Sequence, residues 1–135
     1  MNFMVYDGWS FSYPELLFAA KPQQLPGLFA IQVINPSWKP LPYEPIYFGE
    51  SDDLGSVSLM YHPAFERWSA HPGIVDGGLL YVSYLWLTRG AEFREHVERA
   101  LIARYRPPCN FLSGMATRRP LVRAGANSLA QRSPG

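Results

Sequence analysis

Apolar and polar positions along the chain fall into a few stretches with a readable period. Residues 28–34, LFAIQVI, make an apolar, partly β-branched run of strand length, entered through the Leu25-Pro26-Gly27 turn. Residues 46–51, IYFGES, predict a second short strand, interrupted near its end by Gly49. Between them, residues 35–45 hold Pro36, Pro40, Pro42 and Pro45, which forces a loop. The two strands are therefore expected to pair as an antiparallel hairpin with a long connection. Residues 79–87, LLYVSYLWL, are the most strand-like run, and their lack of strict alternation predicts a strand covered on both faces.

The helical period is clearest in EFREHVERALIARY. Phe93, Val97, Ala100, Leu101 and Tyr105 recur at spacings of three and four, which predicts the buried stripe of an amphipathic helix, with Glu98 at its margin one turn before Ile102. Thr88 is placed to cap this helix, and Pro107-Pro108 end it near Arg106. Pro63 predicts the start of an earlier helix running to Ser69, with His71 at its end because the residue before Pro72 is pushed out of the helical region. Residues 14–20, PELLFAA, read as a short helix, and residues 110–116 as a further turn. Phe3, Tyr6, Trp9, Phe11 and Tyr13 make residues 1–13 too aromatic for a free tail, so an irregular arm packed on the core is expected. The order strand, strand, helix, strand, helix is that of a small α+β domain with a three-stranded, mainly antiparallel sheet flanked by helices. Residues 1–24 form the arm and short helix, 25–116 the folded domain, and 117–135 a basic tail.

Composition narrows the class. With 135 residues, 47% of them hydrophobic, the chain can bury one core. No apolar run is long enough for a membrane span, and MNFMVYDGW lacks the basic and apolar segments of a secretion signal, so a cytoplasmic address is expected. The single Cys109 fits a reducing compartment and reads as a small packing residue. The net charge of +1 conceals an asymmetry: Arg118, Arg119, Arg123 and Arg132 lie after residue 116 with no acid beside them. The body before them carries 8 basic and 11 acidic residues, which argues against a broad phosphate-binding footprint there.

With those elements in place, the motifs resemble a GIY-YIG nuclease domain. The first signature corresponds to Gly27-Leu28-Phe29 after Leu25-Pro26, and the second to Tyr47-Phe48-Gly49 followed by Glu50-Ser51 and Leu54. Arg67 and His71 are four apart, like the family's helical Arg and His. Glu98 with Leu101-Ile102, then Pro107-Pro108 and Asn110, is similar to its closing pattern. The resemblance covers roughly residues 25–110. Phe29 stands where the first signature has tyrosine, so one phenol of the family pattern is absent, and the stretch between Leu54 and Arg67 is longer than usual.

The resemblance implies a metal-dependent endonuclease acting on DNA. Glu98 would hold one Mg²⁺ or Mn²⁺, Arg67 would neutralise the phosphate, and Tyr47 would orient the attacking water. His71 would serve as base or proton relay, and Asn110 would hold the phosphate or buttress the site. Gly49, Ser51 and Arg106 would line the substrate path. Phe29 and the negative body favour a second reading, a catalytically impaired module of the same fold that binds nucleic acid or a protein partner. A third is an adaptor presenting Trp9, Trp38 and Trp68 to a peptide.

Overall fold

The structure is a computed structural model and describes residues 3–111; the basic tail expected over 117–135 and most of the turn expected over 110–116 lie outside the described residues. The chain opens with a hairpin, not an irregular arm. Strands β1 (Phe3–Tyr6) and β2 (Trp9–Ser12) pair antiparallel with Tyr6 opposite Trp9. Asp7 and Gly8 turn the chain with φ of 52° and 83°. Positive φ at both central positions matches the right-handed twist of the flanking strands, and Asp-Gly tolerates it. Alternation then sends Met4, Tyr6 and Phe11 inward and leaves Phe3 and Val5 exposed.

The helix expected over residues 14–20 is replaced by a two-residue strand β3 (Glu15–Leu16) and one 3-10 turn, Leu17–Ala19. The reason is tertiary. Glu15 and Leu16 pair with Val82 and Tyr81, and the Leu17 N–H donates to the Leu80 carbonyl at 3.0 Å. A seven-residue helix is too short to compete with ladder bonds of that kind.

The other three strands are close to expectation: β4 (Gly27–Ile34), β5 (Tyr43–Ser51) and β6 (Tyr81–Trp86). All pairings are antiparallel in the order β3-β6-β4-β5, so the sheet has four strands where three were expected, the fourth being the short edge strand β3. A register shift after Ile31 leaves Ile46 as the extra residue of β5. The helices are α1 (Phe65–Ser69), α2 (Pro72–Val75) and α3 (Ala91–Tyr105). Thr88 does not cap α3. Its N-cap is Gly90, and Arg106 closes it in the left-handed region with its N–H on the Ile102 carbonyl. Among the described residues no helix is long and apolar enough to cross a membrane.

The sheet separates two layers of core. One face carries Phe29, Ile31, Tyr47, Val82 and Tyr84 beneath Leu54, Leu59, Ala64 and Trp68. The other carries Leu28, Ala30, Phe48 and Leu85 beneath the hairpin and the Val97, Leu101 and Ile102 stripe of α3. A buried relay fastens the hairpin to the sheet: Gln32 Nε2 donates to Tyr6 Oη (3.0 Å) and Ser83 Oγ (2.8 Å), and Tyr6 Oη donates to the Tyr43 carbonyl. The buried stripe of α3 is rotated from the one the apolar spacing predicts. Arg94, Val97, Glu98, Leu101 and Ile102 are inside, and Ala100 is exposed. Arg94 turns inward because all three of its guanidinium nitrogens find oxygen: Nε on Glu50 (3.1 Å), Nη1 on the Arg89 carbonyl (3.2 Å) and Nη2 on Asp52. A buried cation is tolerated only with such partners.

Candidate functional site

Strand β5 is the spine of the site. Its second-signature residues alternate across the sheet, so Tyr47 lies on the face covered by α1 while Phe48 lies on the face covered by α3. Gly49 sits opposite Phe29 on β4, and the Phe29 ring lies across it: a Cβ on Gly49 would come 2.4 Å from Phe29 Cζ. Glycine at this position is what lets the aromatic ring of the first signature cover the second strand.

Around Tyr47 the rings of Phe29, His62 and Trp68 close at centroid distances of 6.0, 5.5 and 5.2 Å, and His62 stacks on Trp68 at 5.0 Å. The histidine beside Tyr47 is therefore His62. His71 instead stands at the start of α2, where its Nδ1 accepts from the Gly73 N–H at 3.0 Å. The chain signal for His62 is the His-Pro dipeptide. The residue before Pro63 must be extended, and its ring folds back so that Nδ1 accepts the Ala64 N–H at 2.9 Å. That bond leaves the ring proton on Nε2 in the neutral form.

Burial, seconded by the Arg67 guanidinium, pulls the His62 pKa down from 6.5 to about 4. The folded value is the depressed one, so between pH 6.5 and 4 the unfolded chain takes up a proton that the folded chain refuses. Stability contributed by neutral His62 is present above that window and is lost as pH falls through it. His62→Asn, whose side-chain oxygen keeps an acceptor for the Ala64 N–H, should flatten this dependence. Urea midpoints at about pH 7 and about pH 5 measure it, and an unchanged slope in the variant would show that His62 is not its source.

Arg67 reaches the same region from α1. Its Nε donates to the Cys109 carbonyl at 3.2 Å, and Cys109 Sγ returns a contact to the Arg67 carbonyl at 3.5 Å. Burial pulls the guanidinium below its ordinary value, against the opposing influence of Tyr47 and Cys109. The same burial pushes the Cys109 thiol up to about 11, with Arg67 opposing, which makes it a packing residue and a poor nucleophile. The next residue, Asn110, is almost fully buried and bonded on both sides to one backbone unit of β5. Its Oδ1 accepts the Phe48 N–H at 2.8 Å and its Nδ2 donates to the Phe48 carbonyl at 2.9 Å. It closes the open edge of β5 as a neighbouring strand would.

Glu98 is 3% exposed, on the α3 turn between Arg94 and Ile102. Ser51 ends β5 with its Oγ accepting the Asp53 N–H at 3.0 Å. Arg106 is exposed at the end of α3, its guanidinium 5.0 Å from the Phe111 ring centre. Tyr47, Arg67 and Asn110 thus belong to neighbouring elements around β5, and His71 lies on a separate turn. Among the described residues no three His, Cys, Asp or Glu side chains gather as ligands for a metal ion. Trp68 is fully buried, and Trp9 and Trp38 are half-buried, packed against Phe93 and Tyr105.

The chain matches no protein-family profile, no curated protein and no solved structure.

Proposed function

We propose that the chain is a GIY-YIG-type domain that hydrolyses phosphodiester bonds in DNA at a single centre beside β5. The observation that carries the reading is the meeting of Tyr47, His62 and Arg67 on one face of β5, with Asn110 locked to the backbone of that same strand. The two signature stretches also lie on adjacent, paired strands, β4 and β5, with Phe29 opposite Gly49.

In this reading Glu98 is the residue that would hold one Mg²⁺ or Mn²⁺, whose chemistry is to neutralise phosphate charge and stabilise the departing oxygen. Arg67 offers its permanently charged planar fork to the phosphate, with Nε already fixed by the Cys109 carbonyl. Tyr47 orients the attacking water. His62 stays neutral at pH 7 and presents Nε2–H, so its part is that of a hydrogen-bond donor to a phosphate or hydroxyl oxygen rather than a base. Asn110 holds the geometry through the main chain of Phe48 and is a positioning residue.

The experiment is incubation of the purified chain with supercoiled plasmid and with single-stranded DNA, in Mg²⁺, in Mn²⁺ and in chelator. Cleavage in either metal and none in chelator is expected. Binding without cleavage in all three conditions would instead favour the second reading, a catalytically impaired module. That reading is supported by Phe29, a buried ring with no hydroxyl in contact with Tyr47 and His62.

A further inference from the structure

Among the described residues four buried side-chain polar atoms have no hydrogen-bond partner, and three of them lie on one face of the sheet: Trp68 Nε1, Tyr84 Oη and Trp86 Nε1. The fourth, Gln32 Oε1, belongs to the opposite face, where Gln32 Nε2 bonds Tyr6 and Ser83. The three are neighbours around Phe29. Trp68 meets the Phe29 ring edge-on at 6.4 Å, Tyr84 is the cross-strand partner of Phe29 on β6, and Trp86 packs on Tyr84 at 5.8 Å. Trp68 also carries the stack with His62 (5.0 Å) and the contact with Tyr47 (5.2 Å), so the row begins inside the Tyr47 cluster.

A buried polar group without a partner is rare in a folded chain, and three in one row call for a cause. Their chemistry is one-sided. An indole N–H donates and cannot accept. Burial raises the Tyr84 pKa, with Glu15 adding to it, so the phenol keeps its proton and can donate as well. His62 contributes a further donor, because its Nδ1 accepts the Ala64 N–H and leaves the proton of the neutral ring on Nε2. Donors of this kind do not satisfy one another. What satisfies them together is a group with several acceptor oxygens on one centre, which describes phosphate.

We propose that the Trp68 Nε1–H and the Tyr84 hydroxyl donate to a bound phosphate group, so that the Phe29 face is an oxyanion site able to take phosphate in the absence of a divalent cation. This rests on the phosphodiester reading of the Tyr47 site and adds two residues to it. Trp68 and Tyr84 are 0% and 2% exposed, and the phosphate reaches them past His62, the half-buried ring stacked on Trp68.

Tyr84→Phe is the decisive variant, because it removes one oxygen and keeps the ring. A hydroxyl that serves the fold is missed in the urea midpoint, whereas one buried without a partner is not. The variant should therefore unfold at a midpoint no lower than wild type while binding phosphate about tenfold more weakly. Binding is read in chelator from the indole N–H magnetic-resonance signals of the full chain. The titrants are inorganic phosphate, a thymidine dinucleotide, and chloride at matched ionic strength. Trp9→Phe, Trp38→Phe and Trp86→Phe assign the Trp68 signal by elimination, since the chain has 4 tryptophans. One or both phosphate sources should move that signal saturably, which also tells diester from free anion, and chloride should not. A Trp68 signal that moves with neither source would overturn the proposal, and metal-dependent DNA cleavage by the same protein would leave the nuclease reading standing. Saturable binding that weakens in Tyr84→Phe, in a chain that never cleaves DNA, would keep the oxyanion site and remove the nuclease. A lower urea midpoint in Tyr84→Phe would give its hydroxyl a structural role and strike it from the site.

Discussion

Glu98→Gln is expected to lower metal-dependent DNA cleavage by about 100-fold or more, because a metal ion contributes several kcal/mol to stabilising a phosphoryl transition state and each 1.4 kcal/mol is tenfold in rate. Glutamine keeps the shape of the side chain and removes the charge that would hold the cation. The substitution falls at a buried position, one turn after buried Arg94. Melting temperature and cleavage are therefore read on the same preparation. A folded variant that has lost cleavage supports the assignment. Equal nicking by wild type and variant would remove Glu98 from the site, whatever the fate of the other residues. Raising Mn²⁺ supplies a further distinction, since a ligand defect is partly recovered by mass action and a misplaced phosphate is not.

What the chain discloses in advance depends on whether local pattern and tertiary pairing agree. Strands β4, β5 and β6 and helix α3 are legible because long apolar runs and a sustained period leave little choice of element. Residues 14–20 mislead because a proline followed by helix-forming side chains favours a helix locally, while the open edge of β6 offers Glu15 and Leu16 better bonds. The hairpin at the start has a sequence signal that the expected irregular arm leaves unused. Asp7-Gly8 between FMVY and WSFS is a strong two-residue turn pair, and it outweighs the aromatic density that suggests only packing.

The site divides the same way. The places of Tyr47 on β5 and of Glu98 on α3 follow from the position of their elements. His62 does not, because its neighbourhood is set by a 3-10 turn and a proline rather than by a period, and His71 has the more regular spacing from Arg67. Arg94 escapes because a cation on a helix reads as solvated until Glu50 and Asp52, more than forty residues earlier, are known to face it. Asn110 reads equally well as a turn residue or a phosphate contact, since nothing local reveals that its amide faces the free edge of a distant strand.

That amide sets the second large effect. Asn110→Ala should lower unfolding stability by about 2–4 kcal/mol, since it strands both the N–H and the carbonyl of Phe48 at a buried position and each orphaned group costs about 1–3 kcal/mol. A typical domain has only about 5–15 kcal/mol in total, so a urea transition with unchanged slope and a much lower midpoint is expected. Asn110→Asp separates the hydrogen bonds from mere packing. An ionised carboxylate still accepts the Phe48 N–H, but its second oxygen faces the Phe48 carbonyl and repels it. The protonated acid donates to that carbonyl and restores both bonds. The folded state then favours protonation, so the introduced carboxyl has its pKa raised above the unfolded value. The stability it contributes is fully present below the unfolded pKa and is lost as pH rises through the folded one. Relative to wild type at each pH, Asn110→Asp should therefore be least stable near neutrality and should recover as the solution is acidified. A deficit that is constant with pH would mean that the shape of the side chain at this position, and not its pairing with Phe48, holds the 108–110 turn against β5.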